Sequence, residues 1–295
     1  MKTVKIKTDK KNRVKEATGT QVSKGIAFVI FFIYSITLLF PLLWCIMNSL
    51  KTRQEFIDNV WALPKYFYIE NWLTCLLMEH NNVNLIGMFA NSIFFSVCCT
   101  AVSVYFSSAM AYILTKYPFP GSRGLYSLTF ILMMVPMVGN VAASYRLNVR
   151  LGLYDTYIGP VLGSASGFGM GFILLYGYYK NISWSYAEAA MIDGAGHFRV
   201  YFNIMLPMAV PAIIALAIQG MIGIWNDYFS FYMYTPSKVT ISVGLYALQT
   251  QAQYSKVSYP ELFAAMIVSS MPTLILYAAS QNFIIKNTNM GGLKG

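Results

Sequence analysis

Long apolar runs alternate with short polar segments along this chain of 295 residues. A helix crosses the hydrocarbon core of a bilayer in about 20 residues, and six of the runs are close to that length or exceed it. The pattern therefore predicts an all-α integral membrane protein with six transmembrane helices, at about residues 25–50, 81–115, 124–145, 156–179, 208–225 and 262–285.

One polar island, residues 185–207, lies between the fourth and fifth runs. Ser185 and Glu188 have capping-box spacing, which predicts that a helix starts at this point. Gly194 and Gly196 are expected to let the chain leave that helix with positive φ angles. A second helical run, 197–206, is expected to stop at Pro207, which has no N–H to continue the helix. The island is therefore predicted to form a compact helical hairpin at the membrane surface.

The carboxylate of Asp193 is placed near the end of the first helix of this hairpin, where the helix dipole disfavours a negative charge. Two explanations remain open at this stage. The side chain either binds an external partner or forms an Asx-type turn that leads into Gly194.

Composition supports membrane insertion and argues against a nucleic-acid partner. The chain is 57% hydrophobic and 11% charged, whereas soluble domains carry about a quarter charged residues. The net charge of +10 is not gathered into a basic module interleaved with aromatic residues, so no nucleic acid is expected to bind. The four cysteines do not have the spacing of zinc-binding or redox-active motifs. We therefore predict that their thiols serve only in packing and that the chain has no metal site.

The distribution of positive charge predicts the orientation. Eight of the 21 Lys and Arg residues lie in residues 1–24. With the N-terminus in the cytoplasm, six crossings place 14 of the 21 on the cytoplasmic side and 7 on the other. The positive-inside rule thus favours two cytoplasmic termini and a cytoplasmic position for the polar hairpin.

The predicted spans contain no Asp, Glu, Lys, Arg or His. Ionisable groups inside the membrane normally mark proton or ion pathways, so their absence argues against an ion-coupled carrier and an intramembrane enzyme. The sequence also contains no G-x-x-x-x-G-K-[ST], which excludes nucleotide binding by a P-loop. We predict no catalytic residues, and energy for any transport must come from a partner.

The polar island resembles the EAA signature of ABC-importer permeases. The match comprises Glu188, Ala189, Ala190, Asp193, Gly194, Ile204, Leu206 and Pro207 at fixed spacing. Further positions along most of the chain are similar to the maltose-type sugar permeases, among them Pro41, Trp44, 49–51, Asn91, 119–121, Pro136 and 292–295.

This resemblance implies a type I ABC-importer permease fold with a cytoplasmic coupling helix. It implies a cytoplasmic basic tail at 1–24, a permease domain at 25–285 with its coupling loop at 185–207, and a cytoplasmic tail at 286–295. The EAA residues would contact a partner ATPase, and Lys294 and Gly295 would make a second contact with it.

The resemblance also implies partners and a cargo. The partners would be a second permease subunit, two ATPase subunits, an extracytoplasmic solute-binding protein and membrane lipid. The ATPases would bind ATP and Mg, and this chain would bind no cofactor. The expected cargo is a carbohydrate, for which an oligosaccharide is favoured. The alternatives are an ABC permease for another small solute and a carrier that works alone.

Polar residues near the fifth span are candidates for the substrate path. Trp225, Asn226 and Asp227 are similar to the WN motif of sugar permeases, and an aromatic ring beside polar groups suits a sugar. Trp225 is otherwise explained as an interfacial anchor. Gln219 and Asn91 are further candidates, for which the alternative is hydrogen bonding between helices.

Overall fold

The computed structural model describes residues 18–134, 140–254 and 257–288. Most of these residues are helical. The helices are α1 Thr18–Ser49, α2 Arg53–Asp58, α3 Glu70–Leu76, α4 Leu85–Lys116, α5 Ser122–Met134, α6 Val141–Arg150, α7 Ile158–Gly163, α8 Met170–Asn181, α9 Ser185–Ile192, α10 His197–Val200, α11 Leu206–Asn226, α12 Tyr228–Tyr234, α13 Ile241–Gln253 and α14 Tyr259–Thr288.

Four helical stretches in the described part of the chain are long and apolar enough to cross a membrane. They are Ser23–Ser49, Leu85–Lys116, His197–Asn226 and Tyr259–Gln281. These correspond to the first, second, fifth and sixth predicted spans. The third predicted span covers most of α5, the start of α6 and the residues between them. Of these, residues 135–139, which include Pro136, lie outside the described residues.

The fourth predicted span, 156–179, is not one helix, and on this point the prediction is wrong. Helix α7 ends at Gly163 and α8 begins at Met170, so residues 164–169 lie between them without helical structure. Gly169 has a φ of +148°, a conformation that L-residues with side chains rarely adopt. A hydropathy run does not register such a break, because all the residues in it are uncharged.

Helix α4 lies at the centre of the bundle and packs against α8 and α11. Their contact forms a core around Phe172, Leu175, Tyr179 and Met205, all fully buried or nearly so. A second core joins α4 to α11, α12 and α13 through Phe95, Trp225, Phe231 and Ile241. Helix α1 packs on α14, and most of its apolar surface is exposed, as expected for a helix in contact with lipid or another subunit.

The connection after α1 contains the two short helices α2 and α3 and a small β-hairpin. Its strands are β1 Glu79–His80 and β2 Val83–Asn84. Asn81 and Asn82 form the turn with φ of 50° and 61°, the positive values that a two-residue hairpin turn needs.

The second helix of the polar island does not stop at Pro207, contrary to the prediction. The chain continues from α10 through a π-helical turn, Tyr201–Met205, into α11. A proline ring in a regular α-helix clashes with the carbonyl group four residues earlier. The wider π turn changes the backbone spacing just before Pro207 and so lets the helix continue.

Candidate functional site: the EAA hairpin and the polar cavities

Residues 185–200, here called the EAA hairpin, consist of α9, a tight turn and α10. The turn is a Schellman motif, the common way to end a helix on a left-handed residue. Ala195 N–H donates to Ala190 O at 2.9 Å, and Gly194 N–H donates to Met191 O at 3.0 Å. Gly194 supplies the required positive φ, +84°. Gly196 has a φ of −74°, so the prediction of a positive angle is confirmed for Gly194 and wrong for Gly196.

The start of α9 differs from the predicted capping box. Ser185 is the first helical residue and Trp184 is the N-cap, with no hydrogen bond from a side chain of the cap residue. The Oγ of Ser183 accepts from Ser185 N–H at 3.3 Å instead. Capping thus moves two residues towards the N-terminus, and Glu188 is free of that role.

The hairpin has one face on the bundle and one face in solvent. Ala187 is fully buried, and Val200 is buried in the same core. Glu188, Ala189, Asp193 and Gly194 are exposed, whereas Ala190 is half-buried. The residues that share the EAA signature are therefore divided between the two faces.

Two large apolar side chains on the hairpin, Ile192 and Phe198, were not predicted as site residues. They are 86% and 82% exposed, which is more than any packing role would leave accessible. Burying a side chain of this size typically contributes about 1.5–3 kcal/mol. In the sequence nothing distinguishes them from core residues, since only the fold shows which way they face.

The two carboxylates of the hairpin are also unengaged. Within the described residues, neither Glu188 nor Asp193 makes a hydrogen bond or an ion pair with its side chain. The N–H groups of Gly194 and Ala195 are both bonded to helix carbonyls, so the Asx-type turn is not formed. The hairpin surface thus combines free negative charge with exposed apolar area.

The hairpin is fastened to the ends of α4 and α8. The hydroxyl of Tyr117 lies 2.9 Å from Nδ1 of His197, and Lys116 donates to the carbonyl of Ile182. Deeper in the bundle, Ser108 is within hydrogen-bond distance of the hydroxyls of Tyr179, at 2.8 Å, and Tyr201, at 3.1 Å. These contacts hold the hairpin as part of the bundle.

The remaining EAA residues lie in the helix beyond the hairpin. Ile204 belongs to the π-helical turn, and Leu206 and Pro207 begin α11. Ile204 and Leu206 are half-buried and Pro207 is exposed. The geometry assigns them to the joint between hairpin and bundle. The predicted contact residues Lys294 and Gly295 lie outside the described residues.

Two of the substrate-path candidates are engaged between helices. Trp225 is 8% exposed and donates its indole N–H to Ser269 O at 3.0 Å. Asn91 donates to Val239 O at 2.9 Å and accepts from the Tyr157 hydroxyl at 3.0 Å. The arrangement of Asn91 is the hydrogen bonding between helices named as its alternative, and Trp225 is likewise buried and bonded to another helix.

The other three candidates are accessible to different degrees. Asn226 is exposed and donates to the Ile222 carbonyl in its own helix at 2.8 Å. Asp227 caps α12 by accepting from Ser230 N–H at 3.0 Å, and it lines a cavity of about 840 Å³. Gln219 is exposed and borders a second cavity of about 420 Å³. Among the described residues, no group of three or more His, Cys, Asp and Glu side chains is placed to hold a metal ion.

The fold and the hairpin define a class of protein, the multi-pass helical membrane protein with an exposed helical hairpin between two of its helices. The chain belongs to the family described as binding-protein-dependent transport system inner membrane component, whose profile matches residues 103–289. The predicted membership among importer permeases is thereby confirmed.

Individual relatives agree along almost the whole chain. The diacetylchitobiose uptake system permease protein NgcG of Streptomyces coelicolor is 29% identical over 90% of this chain and 88% of its own length. The probable starch degradation products transport system permease protein AmyC of Thermoanaerobacterium thermosulfurigenes is 30% identical over 92% of this chain and 98% of its own length.

A solved structure supports the fold. The crystal structure of a bacterial ABC transporter involved in the import of the acidic polysaccharide alginate contains a chain similar to this one. The TM-score is 0.72 at 23% identity, and the match covers 90% of this chain and 98% of the other.

Proposed function

We propose that this chain is a membrane subunit of an ATP-driven importer that carries an oligosaccharide across the cell membrane by alternating access. The names of NgcG and AmyC refer to uptake or transport of carbohydrates, which supports this class of cargo. The chain itself performs no ATP hydrolysis in this proposal. A pair of partner ATPases binds ATP and Mg and supplies the energy.

The observation that carries the proposal is the exposed surface of the EAA hairpin. Ile192 and Phe198 are almost fully accessible, and the carboxylates of Glu188 and Asp193 have no partner within the described residues. A small helical element with exposed apolar anchors is suited to docking in a groove of another protein. That groove is the cleft of the ATPase subunit, and α9 is the coupling helix.

Movement of the docked hairpin passes directly into the bundle. The helix from His197 to Asn226 is continuous over 30 residues, which corresponds to about 45 Å at 1.5 Å per residue. Its near end is part of the hairpin, and its far end borders the cavity at Asp227. Closure of the ATPases therefore tilts α11 and opens the path to the other side of the membrane.

The chain crosses the membrane six times in this arrangement, and both termini are cytoplasmic. The third crossing contains α5 and α6, and the fourth is an interrupted helix built from α7 and α8. A second permease subunit completes the pore, and a solute-binding protein delivers the sugar from outside. The distribution of Lys and Arg supports this orientation.

Disulfide cross-linking in a cysteine-free background tests the docking surface. A cysteine at exposed Ala189 or Ile192, paired with cysteines in the ATPase cleft, is expected to cross-link and to respond to ATP. A cysteine at Arg123, which is exposed in the first turn of α5 on the same predicted side, is the matched control. Cross-linking at Arg123 but not at the hairpin would refute the proposal.

A further inference from the structure

The interruption between α7 and α8 exposes non-helical backbone inside the bundle. At membrane depth such backbone is tolerated where it is buried in protein or lines a cavity. Ser164, Ser166, Phe168 and Gly169 of this segment border the cavity of about 420 Å³ that α4 and α11 complete. We call this cavity the hydroxyl groove, because its polar lining consists of Thr100, Ser103, Ser107, Ser164, Ser166 and Gln219.

The α4 side of the groove presents hydroxyl groups at helical spacing. Thr100, Ser103 and Ser107 follow one another at three and four residues, so their side chains lie on one face of the helix. Ser103, Ser107 and Gln219 make no side-chain hydrogen bond within the described residues. The groove thus offers several free donors and acceptors close together.

Thr100 gives the most specific indication that the groove binds a ligand. It is 3% exposed, and its Oγ1 has no hydrogen-bond partner among the described residues. A buried hydroxyl without a partner is unfavourable, and most such groups in proteins are satisfied. Thr100 lines the groove, so its hydroxyl gains a partner when the side chain turns towards a molecule that enters the groove.

The groove also fits the apolar side of a sugar ring. Phe168, Gly220 and Gly223 are also among its lining residues. A Cβ added at Gly220 would lie 3.0 Å from the Thr100 side chain, so glycine keeps α11 close to α4 there. A face with one aromatic ring, little bulk and several hydroxyls suits a pyranose, which has an apolar face and a rim of hydroxyl groups.

Among the residues that the structure describes, no ionised side chain lines the hydroxyl groove. The first turn of α8 contributes free N–H groups, which donate to sugar oxygens, but no full positive charge. A carboxylate leaves water at high cost unless a counter-charge pairs with it. The groove therefore favours an uncharged sugar residue over a uronic acid.

The larger cavity, of about 840 Å³, strengthens this preference. It shares Ser164 and Ile224 with the hydroxyl groove, so the two cavities adjoin. Within the described part of the chain, the carboxylate of Asp227 is the one ionised side chain in its lining. A negatively charged sugar that passes Asp227 is repelled.

We propose that the hydroxyl groove is a transport subsite on this subunit for an uncharged sugar residue, with Thr100 and Gln219 as hydrogen-bonding groups. This inference rests on the proposed function. It names a contact that lies apart from the Trp225 region and a cargo class distinct from the acidic polysaccharide named for the solved alginate transporter.

Uptake by the complete importer in proteoliposomes tests the subsite. The probes are labelled maltotriose, diacetylchitobiose and arabinotriose as neutral sugars, and an alginate trisaccharide as the acidic one. The variants are Thr100→Val and Gln219→Leu, with Ser103→Ala in reserve if either fails to assemble with its partners. Thr129→Val is the matched control, since that buried hydroxyl is already bonded to Leu125 O and lies outside the groove.

We expect the wild type to carry at least one neutral sugar and to exclude the acidic one. Each variant should raise KM for the neutral sugar about fivefold, the effect of one lost hydrogen bond, while Thr129→Val leaves KM unchanged. Gln219→Lys adds a counter-charge and should raise uptake of the acidic sugar relative to the neutral one, which a purely structural role would not produce.

The possible failures are distinguishable. If the wild type carries none of the sugars with ATP present, the proposed oligosaccharide import is refuted. If it carries a neutral sugar but KM is unchanged in the assembled variants, the subsite is refuted. Equal uptake of neutral and acidic sugars by the wild type refutes the charge preference.

Discussion

Substitution of Gly194 separates backbone conformation from side-chain bulk in the EAA hairpin. Gly194 has a φ of +84°, and a Cβ added there meets no atom within 4 Å. An alanine is therefore opposed by the left-handed backbone and not by a clash, at about 1–2 kcal/mol. That energy lowers the population of the hairpin conformation about 5- to 30-fold relative to its alternatives.

Gly196 provides a matched control two residues away. It has a φ of −74° at the N-cap of α10, and a Cβ there also meets no atom within 4 Å. Serine is a preferred N-cap residue, so Gly196→Ser is expected to be neutral or stabilising, while Gly194→Ser carries the conformational cost. Asparagine tolerates the left-handed region better than other residues, so Gly194→Asn should retain more function than Gly194→Val.

The assay is copurification of the ATPase with the tagged chain, followed by ATP-driven uptake in proteoliposomes. The expected order is wild type and Gly196→Ser together, then Gly194→Asn, then Gly194→Ser and Gly194→Ala, with Gly194→Val lowest. Equal losses in Gly194→Ser and Gly196→Ser would refute the conformational argument. So would a Gly194→Asn variant no better than Gly194→Val.

Three further predictions concern buried groups outside the hairpin. Trp225→Phe keeps a buried ring but loses the N–H that is bonded to Ser269. The free energy of unfolding should therefore fall by about 1 kcal/mol, while KM for the sugar stays unchanged. A raised KM at unchanged stability would favour a direct sugar contact instead. Burial lowers the pKa of Lys51, so its native form releases the proton at lower pH than the unfolded chain, and its contribution to stability rises with pH towards the usual lysine value of about 10.4. The melting temperature of the wild type relative to Lys51→Met should accordingly increase from about pH 8 to about pH 10, and a constant difference would contradict this. Because burial raises the pKa of the Cys75 thiol to about 11, this thiol should react slowly with maleimide at neutral pH until a denaturing detergent unfolds the protein. Rapid labelling of the native protein would show that the thiol is accessible.

The sequence by itself determined the class of protein and the position of the polar hairpin. Uncharged apolar runs of about 20 residues predict membrane crossings and roughly where they lie, because such runs match the hydrocarbon core in length and polarity. The polar island and the role of Gly194 were also readable, because a Schellman turn depends on local backbone conformation.

Local departures from the predictions arose where tertiary packing or backbone geometry outweighed propensity. Pro207 predicted a helix end, but a π-helical turn accommodates it and α11 continues. Ser185 has capping-box spacing, yet Ser183 does the capping. The run 156–179 is uniformly apolar and still breaks, since hydropathy does not report backbone conformation.

Only the tertiary structure decided which faces are available. In a chain that is apolar on all sides, little amphipathic pattern shows which side of a helix meets another helix, so exposed Ile192 and Phe198 could not be told from core residues. Buried Trp225 was conspicuous in the sequence, whereas Thr100 was not. Thr100 and Gln219 belong to helices far apart in the chain, and it is the packing of α4, α8 and α11 that brings them to one groove.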